Sequence, residues 1–467
     1  MASATTSDCA LIIASDVASG RRRATDVVSR ALARIAARNP VLNAFTAVTT
    51  ERALARAGAI DAAIAAGRSV GPLAGVPFAV KNMFDIAGMP TLAGSRINRD
   101  HPPANLDATL LTRLETAGAV LVGALNMGEY AYDFTGENAH DGAVRNPHDT
   151  ARMSGGSSSG SGSAVGGALV PLALGSDTNG SIRVPSSFCG SFGLKATYGR
   201  LSRTGTFPFV SSLDHVGPLA RCPADLALAY DAMQGADPRD PVCADRPADP
   251  AFSTLQDGID GLRIVRAGGY FRAGASAEAL SALDTVATAL HANAEIELPE
   301  AARARAAAYV ITASEGAALH LPRLRDRPQD FDPDVRDRLI AGALIPASIV
   351  TQAQKFRRWY RAAVLHLFQS VDVILAPATP CVAPLIGQKT FILDGKEMPL
   401  RPNIGIYTQP VSFIGLPVVA VPVCLPGSLP IGVQIITAPW REAVALRVAQ
   451  TLLAAGAVSA PLPRPDA

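Results

Sequence analysis

Short, almost uninterrupted apolar runs recur along this 467-residue chain, and stretches with helical spacing separate them. "GVPFAV" (75–80), "AVLVGALN" (119–126), "DVILAPATP" (372–380), "PVVAVPV" (417–423) and "PIGVQIITA" (430–438) are bounded by Gly, Pro or Asn, which reads as buried strand. Between the first two lies "ATLLTRLETAG" (108–118), whose apolar residues fall on one helical face. Strands that are apolar on both faces must be covered on both faces, so the alternation predicts an α/β sheet.

Two or more amphipathic helices are expected within residues 13–65, from "DVVSRALARIAARN" and "ERALARAGAIDAAIAAG". A core follows at about 70–225. Residues 231–345 read as a helical elaboration: the Pro/Asp-rich loop "GADPRDPVCADRPADPAF" leads to the helix-like "AARARAAAYVITASEGAALHLPRLRD". Strands and the closing helix "REAVALRVAQTLLAAG" complete the chain over 346–457, and the whole of 1–467 reads as one domain.

The hydrophobic fraction of 48% against 18% charged describes a folded globular chain rather than a disordered one. With 42 Lys+Arg against 40 Asp+Glu, the balance excludes a broad basic surface, so direct nucleic-acid binding is not expected. No apolar stretch reaches the ~18 residues of a membrane span. The basic run "RRR" follows the N-terminal apolar patch instead of preceding it, the reverse of a secretory signal, which makes a cytoplasmic protein the expectation. The six cysteines show no C-x-x-C pair and read as mostly buried thiols, and the seven histidines lack metal-ligand spacing, so neither metal nor cofactor is expected.

"SGGSSSGSGSAVGG" (154–167) has the composition of a flexible linker. Its flanks argue otherwise, because it runs into the buried strand of "ALVPLALGSDTNGS" and then into a Gly-containing turn at a helix start. A serine hydroxyl needs a base, and no Ser/His/Asp set or G-x-S-x-G elbow is present. Lys81, at the end of "GVPFAVK", could serve: a desolvated amine loses its proton more readily. Alone, Lys81 would read as a solvated strand-end lysine, and two serines 24 residues apart would mean nothing.

Gly155-Gly156-Ser157-Ser158, then "GSDTNGSIRVPSSFCG", together with "GVPFAVKNMFDIAG", "LDHVGPLAR" and "GLPVVAVP", resemble the amidase signature family over nearly the full length. The resemblance implies a single large α/β/α domain, a twisted mixed sheet flanked by helices. It implies further that Ser181 is the nucleophile and that Ser157, preceded by a cis peptide bond, relays protons to Lys81. The backbone N–H groups of Thr178, Asn179, Gly180 and Ser181 would then form the oxyanion hole. Asp177 and Arg183 would fix the turn, with Ser158 as a hydrogen-bonding support. Asn179 stands where the family commonly has Gly, and Asn tolerates left-handed backbone. Tyr130, Tyr309 and Arg323 fall in segments that resemble pocket-lining regions, and Arg323 could hold a carboxylate.

The activity so implied is hydrolysis of a small linear amide, urea-like and carboxylated, with ammonia release and a small accessory subunit in a hetero-oligomer. Three alternatives remain at this point: a glutamine-hydrolysing subunit of a tRNA-dependent amidotransferase, another small-amide amidase, and a catalytically silent scaffold.

Overall fold

In the computed structural model, which describes residues 9–464, eleven strands form one mixed sheet. Across the sheet they run Phe45–Val48, Val120–Leu125, Pro77–Lys81, Leu172–Ser176, Val216–Ala220, Phe192–Lys195, Val418–Val423, Ile431–Thr437, Val373–Pro377, Ile264–Ala267 and Glu295–Ile296. Every strand from Val120–Leu125 across to Val373–Pro377 is buried along its whole length. Helices on both faces cause this, and it is why these strands appear as continuous apolar runs. Phe78, at 0% exposure, illustrates the driving force: burying one such ring is worth roughly 1.5–3 kcal/mol. The first eight residues, part of the N-terminal stretch from which the cytoplasmic expectation was drawn, lie outside the described residues.

Three readings of the sequence are refined by the structure. Residues 231–345 are not purely helical, since Ile264–Ala267 and Glu295–Ile296 pair parallel to each other and extend the main sheet. Both are short and partly exposed, Glu295–Ile296 at the sheet edge and Ile264–Ala267 next to it, so their apolar signal is weak. The Gly/Ser tract is not a loop throughout: Ser159–Gly166 is an α-helix, buried at every residue. Its glycines permit close approach, because a Cβ on Gly160 would stand 2.4 Å from the Ala44 carbonyl oxygen and one on Gly166 2.2 Å from that of Cys189. The thiols differ too: Cys189 is buried, Cys424 is exposed and the other four lie between.

Pro77–Lys81 pairs parallel with Leu172–Ser176 in the register Phe78↔Leu172, Ala79↔Ala173, Val80↔Leu174. Their C-terminal ends therefore coincide, the edge where α/β sheets present ligand sites. Helix Ala301–Asp326 packs with helices Pro333–Ala343 and Ala347–Leu367 to form a separate layer beside that edge. No helix among the described residues is long and apolar enough to cross a membrane.

Candidate active site

At the coincident strand ends, Lys81 Nζ donates to Ser157 Oγ at 2.7 Å and to Ser176 Oγ at 2.8 Å. Lys81 and Ser157 have 0% exposure, and burial pushes the Lys81 amine down to about 7 against the opposing pull of Asp214, Asp177 and Asp133. The Gly156–Ser157 peptide is cis. Next to it the Ser158 hydroxyl donates to the Ser176 carbonyl at 3.0 Å and accepts the Ser176 N–H at 3.1 Å, which ties the tract to the strand. The Ser158 N–H donates to the Ser181 carbonyl at 3.3 Å, so the tract and the turn carrying Ser181 are held together.

The turn is fixed from below. Arg183 donates twice to Asp177, both at 2.9 Å, and the pair has no exposed surface. Burial alone would raise the Asp177 carboxyl, but the Arg183 charge and hydrogen bonds overcome this and hold it far below the usual carboxylate range. Gln434 Oε1 takes a third Arg183 N–H at 2.6 Å, and the Ser412 hydroxyl takes another and donates to Asp177 at 3.1 Å. Gly180, not Asn179, carries the positive φ, +140°, and a Cβ there would stand 2.2 Å from Thr408 Oγ1. The left-handed tolerance of Asn is therefore not what admits it at 179. The N–H groups of Thr178, Asn179, Gly180 and Ser181 have no protein acceptor among the described residues, which leaves four neighbouring donors for an anion.

A cavity opens over Ser181, lined in part by Thr178, Asn179, Tyr309, Thr312, Arg338 and Arg401. Tyr309 thus stands where the sequence suggested. Tyr130 does not line this cavity, because its ring is clustered with His320, Phe207 and Phe331 and its hydroxyl donates to Asn98 at 3.0 Å. Its neighbours 131–134 are the ones that face the cavity. Arg323 lies outside as well, its guanidinium 5.5 Å from the Phe207 ring centre. It follows Tyr309 by fourteen residues on the same helix, roughly 21 Å along the axis.

Sequence reasoning missed Ser176, Thr312, Arg338 and Arg401. Ser176 lay within the quoted signature, adjacent to Asp177, and its place at a strand end beside Lys81 was the available signal. Arg401 is paired with Asp133 at 2.6 Å and Asp334 at 3.0 Å. Arg338 stacks 4.0 Å over Tyr132, donates to the Tyr132 and Asp334 carbonyls, and has no ion-pair partner among the described residues.

The sequence profile of the Amidase family matches residues 26–446. A 1-carboxybiuret hydrolase subunit of Pseudomonas sp. strain ADP is 56% identical over 439 residues, covering 93% of this chain and 96% of the relative. A glutamyl-tRNA(Gln) amidotransferase subunit of Azotobacter vinelandii is 39% identical, over 90% of this chain and 91% of its own length. A solved structure of an s-triazine catabolic enzyme, described within a vestigial protein complex, superposes with a TM-score of 0.95 at 54% identity, over 97% of this chain and 99% of that one.

Proposed function

The chain belongs to the amidase family, a hydrolase of carbon–nitrogen bonds in non-peptide amides, and from that premise we propose that it hydrolyses 1-carboxybiuret, releasing ammonia. The contact between a desolvated Lys81 and Ser157, beside the turn that carries Ser181, is the observation that carries the chemistry. The 56% identity supports the substrate.

Above pH ~7 the Lys81 amine is neutral and accepts a proton. Ser181 Oγ attacks the amide carbonyl, its proton passing through Ser157 to Lys81, and the new oxyanion is bound by the N–H groups of the 178–181 turn. Losing one such donor typically costs roughly 100- to 1,000-fold in rate. Collapse breaks the C–N bond as the proton returns through Ser157 to the leaving nitrogen, and ammonia departs. Water then cleaves the acyl-enzyme by the reverse route.

Asp177, Arg183 and Ser158 position the turn. Arg338, a guanidinium without an ion-pair partner at the cavity wall, suits the substrate carboxylate and takes the part first assigned to Arg323. Tyr309 lies on the same wall. The relative's description as a subunit and the protein complex of the solved structure support assembly with a small accessory subunit in a hetero-oligomer, and we propose that the chain acts in the cytoplasm.

The second reading, glutamine hydrolysis for a tRNA-dependent amidotransferase, is favoured by the 39% identity to the Azotobacter vinelandii protein. Ammonia release measured across 1-carboxybiuret, biuret, allophanate, glutamine and simple amides separates the two. The expected result is the highest kcat/KM on 1-carboxybiuret, with Arg338→Gln raising its KM more than that of uncharged biuret. A preference for glutamine would overturn the assignment.

A further inference from the structure

Asn179 combines three observations. It is 7% exposed and lines the cavity together with Ser181, two residues on. Its side-chain Nδ2 donates to Thr312 Oγ1 at 2.9 Å, a hydroxyl on the helix that walls the cavity. Its Oδ1 is buried and has no hydrogen-bond partner among the described residues. The side chains next to it are paired: the Thr178 hydroxyl donates to Asp214 at 2.7 Å and Asp177 is held by Arg183, while Thr408 Oγ1 donates to the Asn179 carbonyl at 2.6 Å. A buried amide oxygen without a donor is costly, and a native protein retains one where a ligand can supply the missing N–H.

The reaction places such a donor close by. In a biuret-type substrate the attacked carbonyl is flanked by the leaving nitrogen on one side and a bridging N–H on the other. We propose that Asn179 is a specificity-determining residue whose side-chain oxygen accepts a hydrogen bond from that bridging N–H, selecting ureido amides over amides with carbon at the same position. Thr312 is a positioning residue that orients the Asn179 amide. The backbone at 179 is not left-handed, and its carbonyl is anchored by Thr408, so the side chain can be removed without a conformational demand on the turn.

This inference rests on the amide-hydrolase reading above, and biuret paired with malonamide separates the two. Malonamide keeps the terminal amide but carries CH2 in place of the bridging N–H. In Asn179→Ala the ratio of kcat/KM for biuret to that for malonamide is expected to fall roughly tenfold relative to the parent protein, the scale of one hydrogen bond to a buried acceptor. Thr312→Val should shift the same ratio in the same direction by less, and it supplies the measurement if Asn179→Ala does not fold. An unchanged ratio, with both substrates losing rate equally, would overturn the role of Asn179 while leaving the hydrolase reading intact. No ammonia from biuret, malonamide or 1-carboxybiuret with the parent protein would overturn that reading, and this inference with it.

Discussion

Two lysines of this protein have the same environment by one measure and different surroundings by another. Lys81 and Lys195 each end a central strand, each has 0% exposure, and burial pushes each amine down to about 7. Lys81 Nζ meets two hydroxyls, Ser157 and Ser176, at the open edge of the sheet. Lys195 Nζ meets the main-chain carbonyls of Ala196 and Leu416. A carbonyl can only accept a hydrogen bond, whereas a hydroxyl can accept and donate, so only Lys81 has a neighbour able to hand it a proton. The difference teaches that a lowered amine pKa marks burial; the partner decides whether the amine can act as a base.

The largest test of this contrast is substitution. Lys81→Ala should lower kcat by about 1,000-fold or more, in the upper range for a general base, with the circular dichroism spectrum preserved. Lys195→Met should leave kcat per folded molecule within about threefold and change the unfolding midpoint instead. Comparable loss of turnover in a folded Lys195→Met protein would break the comparison. Next in size, Asp177→Asn leaves Arg183 buried without its anion and is expected to cost about 3–5 kcal/mol in denaturant unfolding. A cost under about 1 kcal/mol would show that Gln434 and Ser412 suffice for Arg183.

Ser176→Ala sharpens the role of the hydroxyls. It removes one of the two Lys81 contacts and should lower kcat roughly tenfold with little change in KM. The pH dependence separates the lysines most finely. Activity needs neutral Lys81, so kcat should fall about tenfold per unit as pH drops below ~7. Stability involves both amines: between about 7 and their ordinary value of 10.5 the unfolded chain holds protons that the folded one has lost, so stability rises with pH across that window. Lys81→Met and Lys195→Met should each flatten that rise, while Lys195→Met leaves the activity profile in place.

Much of the sheet could be read in advance because burial on both faces writes itself as continuous apolar runs, as in Pro77–Lys81 and Ile431–Thr437. The helix at Ser159–Gly166 could not, since glycine is a poor helix former and this segment is helical because it is enclosed on all sides. Tyr130 and Arg323 were drawn from pocket-like segments, yet which residue of a segment faces the cavity depends on rotation and distance along an element. Neighbours in the same segments, Tyr132 and Thr312, line it instead.

The amino-acid sequence by itself determined the order of several buried strands and of the amphipathic helices, and it placed a lysine at one strand end and serines in a Gly-rich tract and turn. Local apolar period and turn chemistry are short-range and so are written in neighbouring residues. Only the tertiary structure decided that Lys81 meets Ser157 across 76 residues and that Asn179 meets Thr312 across 133. Those contacts depend on which strands lie side by side and how the Ala301–Asp326 helix packs over their ends, and that arrangement is a property of the whole core.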